Sequence, residues 1–275
     1  MADVAEFSWD PVQYNRFSDE RGRPFADLLA RVALDRPAGL VVDLGCGSGE
    51  LTAGLLTRWP SASVIGVDSS AEMIASAERL RRSMPPADAA RLRFIEADLS
   101  SWTPPGPVDV ITSNAALQWV PGHLELLPTL MGRLAPGGRL AVQVPGNHDA
   151  PAHALLRELR RTPRWSRLVG PNVAPGLDRR LAVAEPADYL ATLARAGFAA
   201  DVWETTYLHL LTGEDAVLQW MRGTGARPTL AALPDDATRA AFEADYAALL
   251  RDAYPPRPFG TVMPFRRLFL VSSTR

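Results

Sequence analysis

Three glycines at alternate positions, Gly45, Gly47 and Gly49, follow the run Val41-Val42-Asp43-Leu44 in this 275-residue chain. Glycine admits positive φ and carries no side chain, so a turn of this composition lets a ligand approach main-chain N–H groups closely. Beyond it, Leu51, Leu55, Leu56 and Trp59 recur at helical spacing, which predicts a helix whose first N–H groups have no partner within the helix. Strand, glycine turn and helix N-terminus make a cradle for a small polar ligand. A dinucleotide fingerprint needs glycine at position 50, where Glu50 stands, and a carboxylate at the mouth of the turn repels a pyrophosphate. Cys46 lies between two of the glycines and is the single cysteine. It reads as a small filler rather than a nucleophile, and alone it excludes an internal disulfide or a multi-cysteine zinc site.

Acids recur after the next apolar runs. Asp68 closes Ser63–Asp68, about 20 residues past the glycines, where a carboxylate can accept from both hydroxyls of a ribose. The alternative is a role at the start of the following helix, where Ser69-x-x-Glu72 reads as a capping box and Met73 faces inward. Asp98 closes a third strand, Leu92–Asp98. Ligands of open α/β sheets bind beyond the carboxyl ends of the strands. Asp43, Asp68 and Asp98 are therefore expected at one rim, with Asn114, Gln118 and Trp119 reaching it from the end of a fourth strand, Val108–Asn114. Trp119 suits the core as well as it suits a ligand.

The elements that must position these residues follow a regular alternation. Helices are expected over Pro24–Val32, after the glycine turn, after Asp68, and over His123–Leu134, the last stopped by Pro136-Gly137-Gly138. Pro85–Arg91 reads as a polar loop, and Arg139–Val144 as the fifth strand. The rhythm breaks from Pro145 to about Val183, a stretch with an arginine cluster at 157, 160, 161, 164 and 167 that reads as a solvated face or as an attractor of acidic ligand. It resumes with a helix at Pro186–Ala196 and a sixth strand at Ala200–Leu211. Helices at Asp215–Gly223 and Ala237–Ala253 and a Pro-rich loop at Tyr254–Pro264 precede a seventh strand, Phe265–Val271, returning hairpin-like against the sixth. The fold class is α/β, a doubly wound, seven-stranded, mostly parallel sheet with a helical cap. One domain spans 1–275, with the core at 30–145, 198–211 and 262–275 and the cap at 146–197 and 212–261.

Composition narrows the function classes. Hydrophobic residues at 47% and charged residues at 22% are ordinary for a soluble globular protein. A net charge of −2 supplies no field for nucleic acid or an anionic membrane. Met1–Glu6 has no signal-peptide pattern, and no apolar run reaches the roughly 18 residues of a membrane span. A cytosolic protein is expected. The opening aromatics Trp9, Tyr14 and Phe17 either pack an N-terminal helix onto the core or cover a ligand.

The ordered set Asp43-x-Gly45-x-Gly47-x-Gly49, Asp68, Glu96-Ala97-Asp98, the turn after the fourth strand, and Leu134-Ala135-Pro136-Gly137-Gly138 resembles the class I S-adenosylmethionine-dependent methyltransferases. Within them, the chain resembles the trans-aconitate 2-methyltransferase family at Arg23-Pro24, Ala38–Gly49, Gly66–Ser70, Asn114–Trp119, Val202–His209, Trp220–Pro228 and Arg267–Phe269. Ala152–Arg180 departs from that pattern. The resemblance implies S-adenosyl-L-methionine as cofactor, held by Asp43, Gly45, Cys46, Gly47, Gly49, Asp68, Ser69, Met73, Asp98, Leu99, Asn114 and Gln118. It also implies a small polycarboxylate as acceptor, bound by Arg227 and Arg267 and then by Arg23, Tyr207, His209, Trp220 and Trp119, and a cytoplasmic location. No metal is expected, and no nucleic acid or membrane partner. An ionised carboxylate is already a nucleophile, so no general base is expected and catalysis rests on placement and water exclusion. Alternatives are an O-methyltransferase for another small acceptor, such as a phenol, or a non-catalytic binder of the cofactor. Oligomeric state stays open.

Overall fold

The computed structural model describes residues 18–169 and 183–274. The aromatics at 9, 14 and 17 and the prolines at 171 and 175 lie outside the described residues.

The strands are β1 (Leu40–Leu44), β2 (Ser63–Asp68), β3 (Leu92–Glu96), β4 (Val108–Asn114), β5 (Leu134–Pro145), β6 (Ala199–Leu211) and β7 (Thr261–Ser273). They form one sheet in the order β3-β2-β1-β4-β5-β7-β6. The pairs from β3 to β5 are parallel and β7 runs antiparallel to β5. The order reverses direction between β1 and β4, which opens a crevice at the carboxyl ends of these strands. The glycine turn and the end of β4 both lie there.

The chain divides into two compact units, and both β6 and β7 run from one into the other. The larger unit holds, of the described residues, 18–145, 183–205 and 267–274. Its helices are α1 (Ser18–Ala30), α2 (Glu50–Arg58), α3 (Ala71–Ser83), α4 (Pro86–Arg91), α5 (His123–Met131) and α8 (Pro186–Arg195). Strand alternation separates the two sheet faces. One face carries Val42, Leu44, Ile111, Leu140, Val142, Val144, Leu268 and Leu270, packed with Leu127, Leu130 and Met131 of α5 and Tyr189 and Leu193 of α8. On the other face the register aligns Asp43 with Thr112, Asn114 with Gln143, and Pro145 with Arg267. A line of polar side chains therefore crosses the sheet.

At the amino ends of the strands, Asp109 accepts from Gly39 N (2.6 Å) and Leu40 N (2.9 Å) and pairs with Arg36. Burial works to raise this carboxyl, but the two backbone donors and Arg36 outweigh it and hold the pKa below its ordinary value. Asp109 thus ties the start of β1 to β4.

The smaller unit includes 146–169 and 206–266, with α6 (Pro151–Arg161), α7 (Pro163–Val169), α9 (Ala216–Arg222), α10 (Arg227–Ala231) and α11 (Asp236–Ala253). Its core is anchored on α11. The Tyr246 hydroxyl donates to Ala152 O (2.7 Å), and Trp165 Nε1 and Arg164 Nη1 both donate to Asp245 Oδ2 (2.9 Å each). Arg222 grips Glu243 through two bonds of 2.6 Å. Arg164 and Arg157, which bonds His148 O and Asp149, are held within this unit, so the arginine cluster is at least partly structural.

The expected boundaries shift in several places. Residues 183–197, expected in the cap, belong to the larger unit because Tyr189 and Leu193 complete its core. Residues 206–211 and 262–266, expected in the core, group with the smaller one. Pro85–Arg91 is the helix α4 rather than a loop; Pro86 starts it, and Arg91 bonds Asp88, Pro60 O and Ala62 O. The stop signal Pro136-Gly137-Gly138 lies inside β5, where an irregularity between the pairs Val108–Leu134 and Val110–Arg139 absorbs the extra residues. The helix cap is Ser70, not Ser69: Asp68 Oδ1 accepts the Ser70 N–H, and Ser70 Oγ accepts from Met73 N at 3.3 Å.

Candidate active site

The glycine turn is stitched to the end of β2. Gly45 N and Cys46 N both donate to Val67 O, at 2.7 and 3.0 Å, and Gly47 N donates to Asp68 Oδ2 at 2.9 Å. The glycines serve different ends. Gly45 has φ +81° and packs so closely on Ala116 that a side chain there would collide with it, with Leu99 beside them. Gly47 has φ +55°, but a side chain there would point into open space. Asp68 serves the helix start through one oxygen, as the second of its two expected roles requires, and ties down the glycine turn through the other.

Asp43 is placed otherwise than a rim carboxylate. It is buried, its oxygens accept from Thr52 Oγ1 (2.6 Å) and Thr112 Oγ1 (3.0 Å), and burial pushes its pKa up to about 6. The structure thus makes Asp43 a brace between β1, α2 and β4, behind the turn. Cys46 is buried, and burial pushes its thiol well above the ordinary range, so it is not a ready thiolate. Met73 is also buried, while Ser69 is exposed. Asp98 lies two residues beyond β3 and is exposed; the Ser100 hydroxyl and N–H hold its carboxyl below the usual range.

At the end of β4 the chain turns through Ala115 with φ 55°, a left-handed conformation that a non-glycine residue adopts at some cost in strain. Ala115 N donates to Gln143 O, and Gln118 Nε2 donates to Ala115 O at 2.6 Å. Two acceptor atoms here, Asn114 Oδ1 and Gln118 Oε1, are buried with no hydrogen-bonding partner among the described residues. Buried acceptors left this way call for a donor that the described residues do not supply, whether water or a ligand. Trp119 is half-buried in the following turn of 3₁₀ helix, Leu117–Trp119.

Of the acceptor candidates, Arg267 is buried on the polar face of the sheet and donates to Gln143 Oε1 at 3.1 Å. Arg23 is exposed on α1. Within the smaller unit, Tyr207, His209 and Trp220 are buried in one aromatic group. His209 stacks on Trp220 at 5.0 Å and on Tyr207 at 6.4 Å, with Phe265 edge-on to His209 at 5.6 Å. Arg227 begins α10, half-buried, after a loop in which Gly225 lies against His153. The larger unit thus gathers the glycine turn, Asp68, Asn114, Gln118 and Arg267, and the smaller unit gathers the aromatic candidates.

Gln143 is the polar residue that sequence reasoning passed over, having read it only as part of a strand. A glutamine in the apolar run Leu140-Ala141-Val142-Gln143-Val144 was the available signal, because a fully buried amide needs a partner for each of its polar atoms.

Residues 41–138, from β1 into β5, match the Methyltransferase domain family. The architecture agrees. The YcgJ protein of Bacillus subtilis superposes with a TM-score of 0.58 at 16% identity, over 93% of this chain and 99% of that one. A phosphoethanolamine N-methyltransferase of Haemonchus contortus superposes at 0.53 with 15% identity, over 92% of this chain and 53% of that one. At such identities the likeness is one of fold, and the fold is that of class I methyltransferases. Sequence goes further. The trans-aconitate 2-methyltransferase of Streptomyces avermitilis is 53% identical over 96% of this chain and 96% of its own length. That of Rhodococcus jostii is 47% identical over 97% and 100%. The chain belongs to the trans-aconitate 2-methyltransferase family.

Proposed function

We infer that the protein transfers the methyl group of S-adenosylmethionine to a carboxylate of trans-aconitate, giving a monomethyl ester. The end-to-end identity with curated trans-aconitate 2-methyltransferases carries this reading. The turn at Gly45–Gly49 suits the cofactor: Gly47 leaves open space beside the turn, Asp68 offers a carboxylate for ribose hydroxyls, and Asn114 and Gln118 offer buried acceptors. Bound there, the cofactor supplies an electrophilic methyl group on a sulfonium centre. Gly45, Gly47, Gly49, Asp68, Asn114 and Gln118 bind and orient it, Asp98 and Leu99 extend the same rim, and Asp43, Cys46, Ser69 and Met73 shape the walls.

The acceptor needs no proton removed, because its carboxylates ionise near pH 4. Protein groups have to hold its other carboxylates still and keep water away from the reacting one. Arginine does the first through paired N–H donors. Arg267 is buried where bulk water does not compete for its charge. Arg227, Arg23, Tyr207, His209, Trp220 and Trp119 are proposed as acceptor contacts on the residue-by-residue resemblance.

Incubation with methyl-labelled cofactor and a panel of di- and tricarboxylates and phenols, followed by mass analysis of the ester, tests the reading. Label on the tricarboxylate and none on phenols is expected. Cofactor binding without label on any acid would favour the binding-only alternative, which the relatives do not support. No helix among the described residues is long and apolar enough to cross a membrane. A cytoplasmic location without nucleic-acid partners belongs to the same proposal and is open to fractionation.

A further inference from the structure

Gln143 is 0% exposed and Arg267 is 3% exposed. They are diagonal neighbours on one face, since Gln143 aligns with Phe269 and Pro145 with Arg267 in the β5–β7 register. Their contact settles the orientation of the amide. A guanidinium only donates, so the atom facing Arg267 Nη1 at 3.1 Å must be the amide oxygen, and the two N–H bonds of Gln143 Nε2 point elsewhere. Nε2 is buried and has no acceptor among the described residues. A buried amide donor in that state loses the hydrogen bonds it would make in water. Beside a buried arginine, its complement is an anion with oxygens to spare.

We propose that Gln143 is a substrate-binding residue: it steadies Arg267 through Oε1 and donates Nε2–H to the same acceptor carboxylate, so that amide and guanidinium form one carboxylate clamp. The proposal deepens the acceptor reading above and rests on Arg267 being a carboxylate ligand. A glutamine here makes a chemical difference from glutamate. Glutamate would bond Arg267 better but would offer no donor and would repel the substrate; methionine would keep the length and lose both functions.

Three variants separate the possibilities, each scored by acceptor KM, S-adenosylmethionine Kd and thermal unfolding. If the clamp is right, Gln143→Met raises the trans-aconitate KM about tenfold, Gln143→Glu raises it further, and the cofactor Kd stays within about twofold in both. If Gln143 only braces Arg267, its side-chain amide protons do not respond to the acceptor, which overturns the proposal. Arg267→Met that leaves acceptor KM unchanged would remove the underlying reading instead; Arg267→Met that raises KM while both Gln143 variants do not would remove the clamp alone. Should the buried glutamate prevent folding, NMR of the wild-type protein decides. Saturated with S-adenosylhomocysteine, its Gln143 side-chain amide protons must shift on titration with trans-aconitate, and unmoved resonances refute the donor role.

Discussion

At the scale of single residues, the two aspartates of the glycine region have separable duties. Asp68 faces the turn through one oxygen and the helix start through the other. Asp68→Asn keeps an acceptor for Ser70 but removes the charge and one acceptor for a ribose. Calorimetry should show S-adenosylmethionine affinity falling roughly 10- to 100-fold, with a loss of stability near 1 kcal/mol from the Gly47 N–H left without its acceptor. Unchanged affinity would leave Asp68 a capping residue. Asp43 is different, since burial raises its pKa to about 6 from an ordinary 3.8. For an acid, a raised folded pKa means that folding favours the protonated form. Its contribution is complete below about pH 4 and is lost as pH rises through 6, amounting to about 3 kcal/mol at most. The unfolding free energy of the wild type should therefore decline across that window relative to Asp43→Asn. A difference between the two proteins that does not vary with pH would contradict the raised pKa.

Elements explain why glycines of one motif are not equivalent. Gly45 lies where the β1 turn meets the β4 turn, its Cα facing Ala116. Alanine there suffers both a positive φ and a collision of its methyl group with that of Ala116, so Gly45→Ala should destabilise by about 2–4 kcal/mol in denaturant titration. Gly47 has the positive φ without the neighbour. Gly47→Ala should lose only about 1–2 kcal/mol of stability while greatly weakening cofactor binding, because the new methyl occupies the open space beside the turn. Equal stability losses at the two positions would show that conformational strain, not packing, governs both. The same reasoning applies to Ala115, whose left-handed conformation ends β4 and turns the chain toward Gln118.

For the whole molecule, the acceptor chemistry predicts a pH profile. A carboxylate nucleophile is ionised throughout the neutral range, so kcat/KM for trans-aconitate should be flat from about pH 6.5 to 9. A phenolic acceptor would give a rate rising toward its own pKa near 10, and such a rise would count against a carboxylate substrate. Much of this was legible without coordinates. Strand and helix periods, Asp68 after the second strand and the glycine spacing are local patterns, and the local physics of turns, caps and apolar periodicity is written residue by residue. The extent of β5 and the position of the Ser70 cap were not legible, because a sheet partner absorbs Pro136–Gly138 and the Asp68 carboxylate moves the helix start. By itself, the sequence determined the class of fold, the family and, through the family, the cofactor. Tertiary structure alone decided that Asp43 is a buried brace, that residues 183–197 complete the larger unit's core, and that Gln143 meets Arg267. Those facts depend on which strands lie side by side, and β5 and β7 come into register across more than 120 residues of chain. Spacing along the chain carries no trace of that pairing.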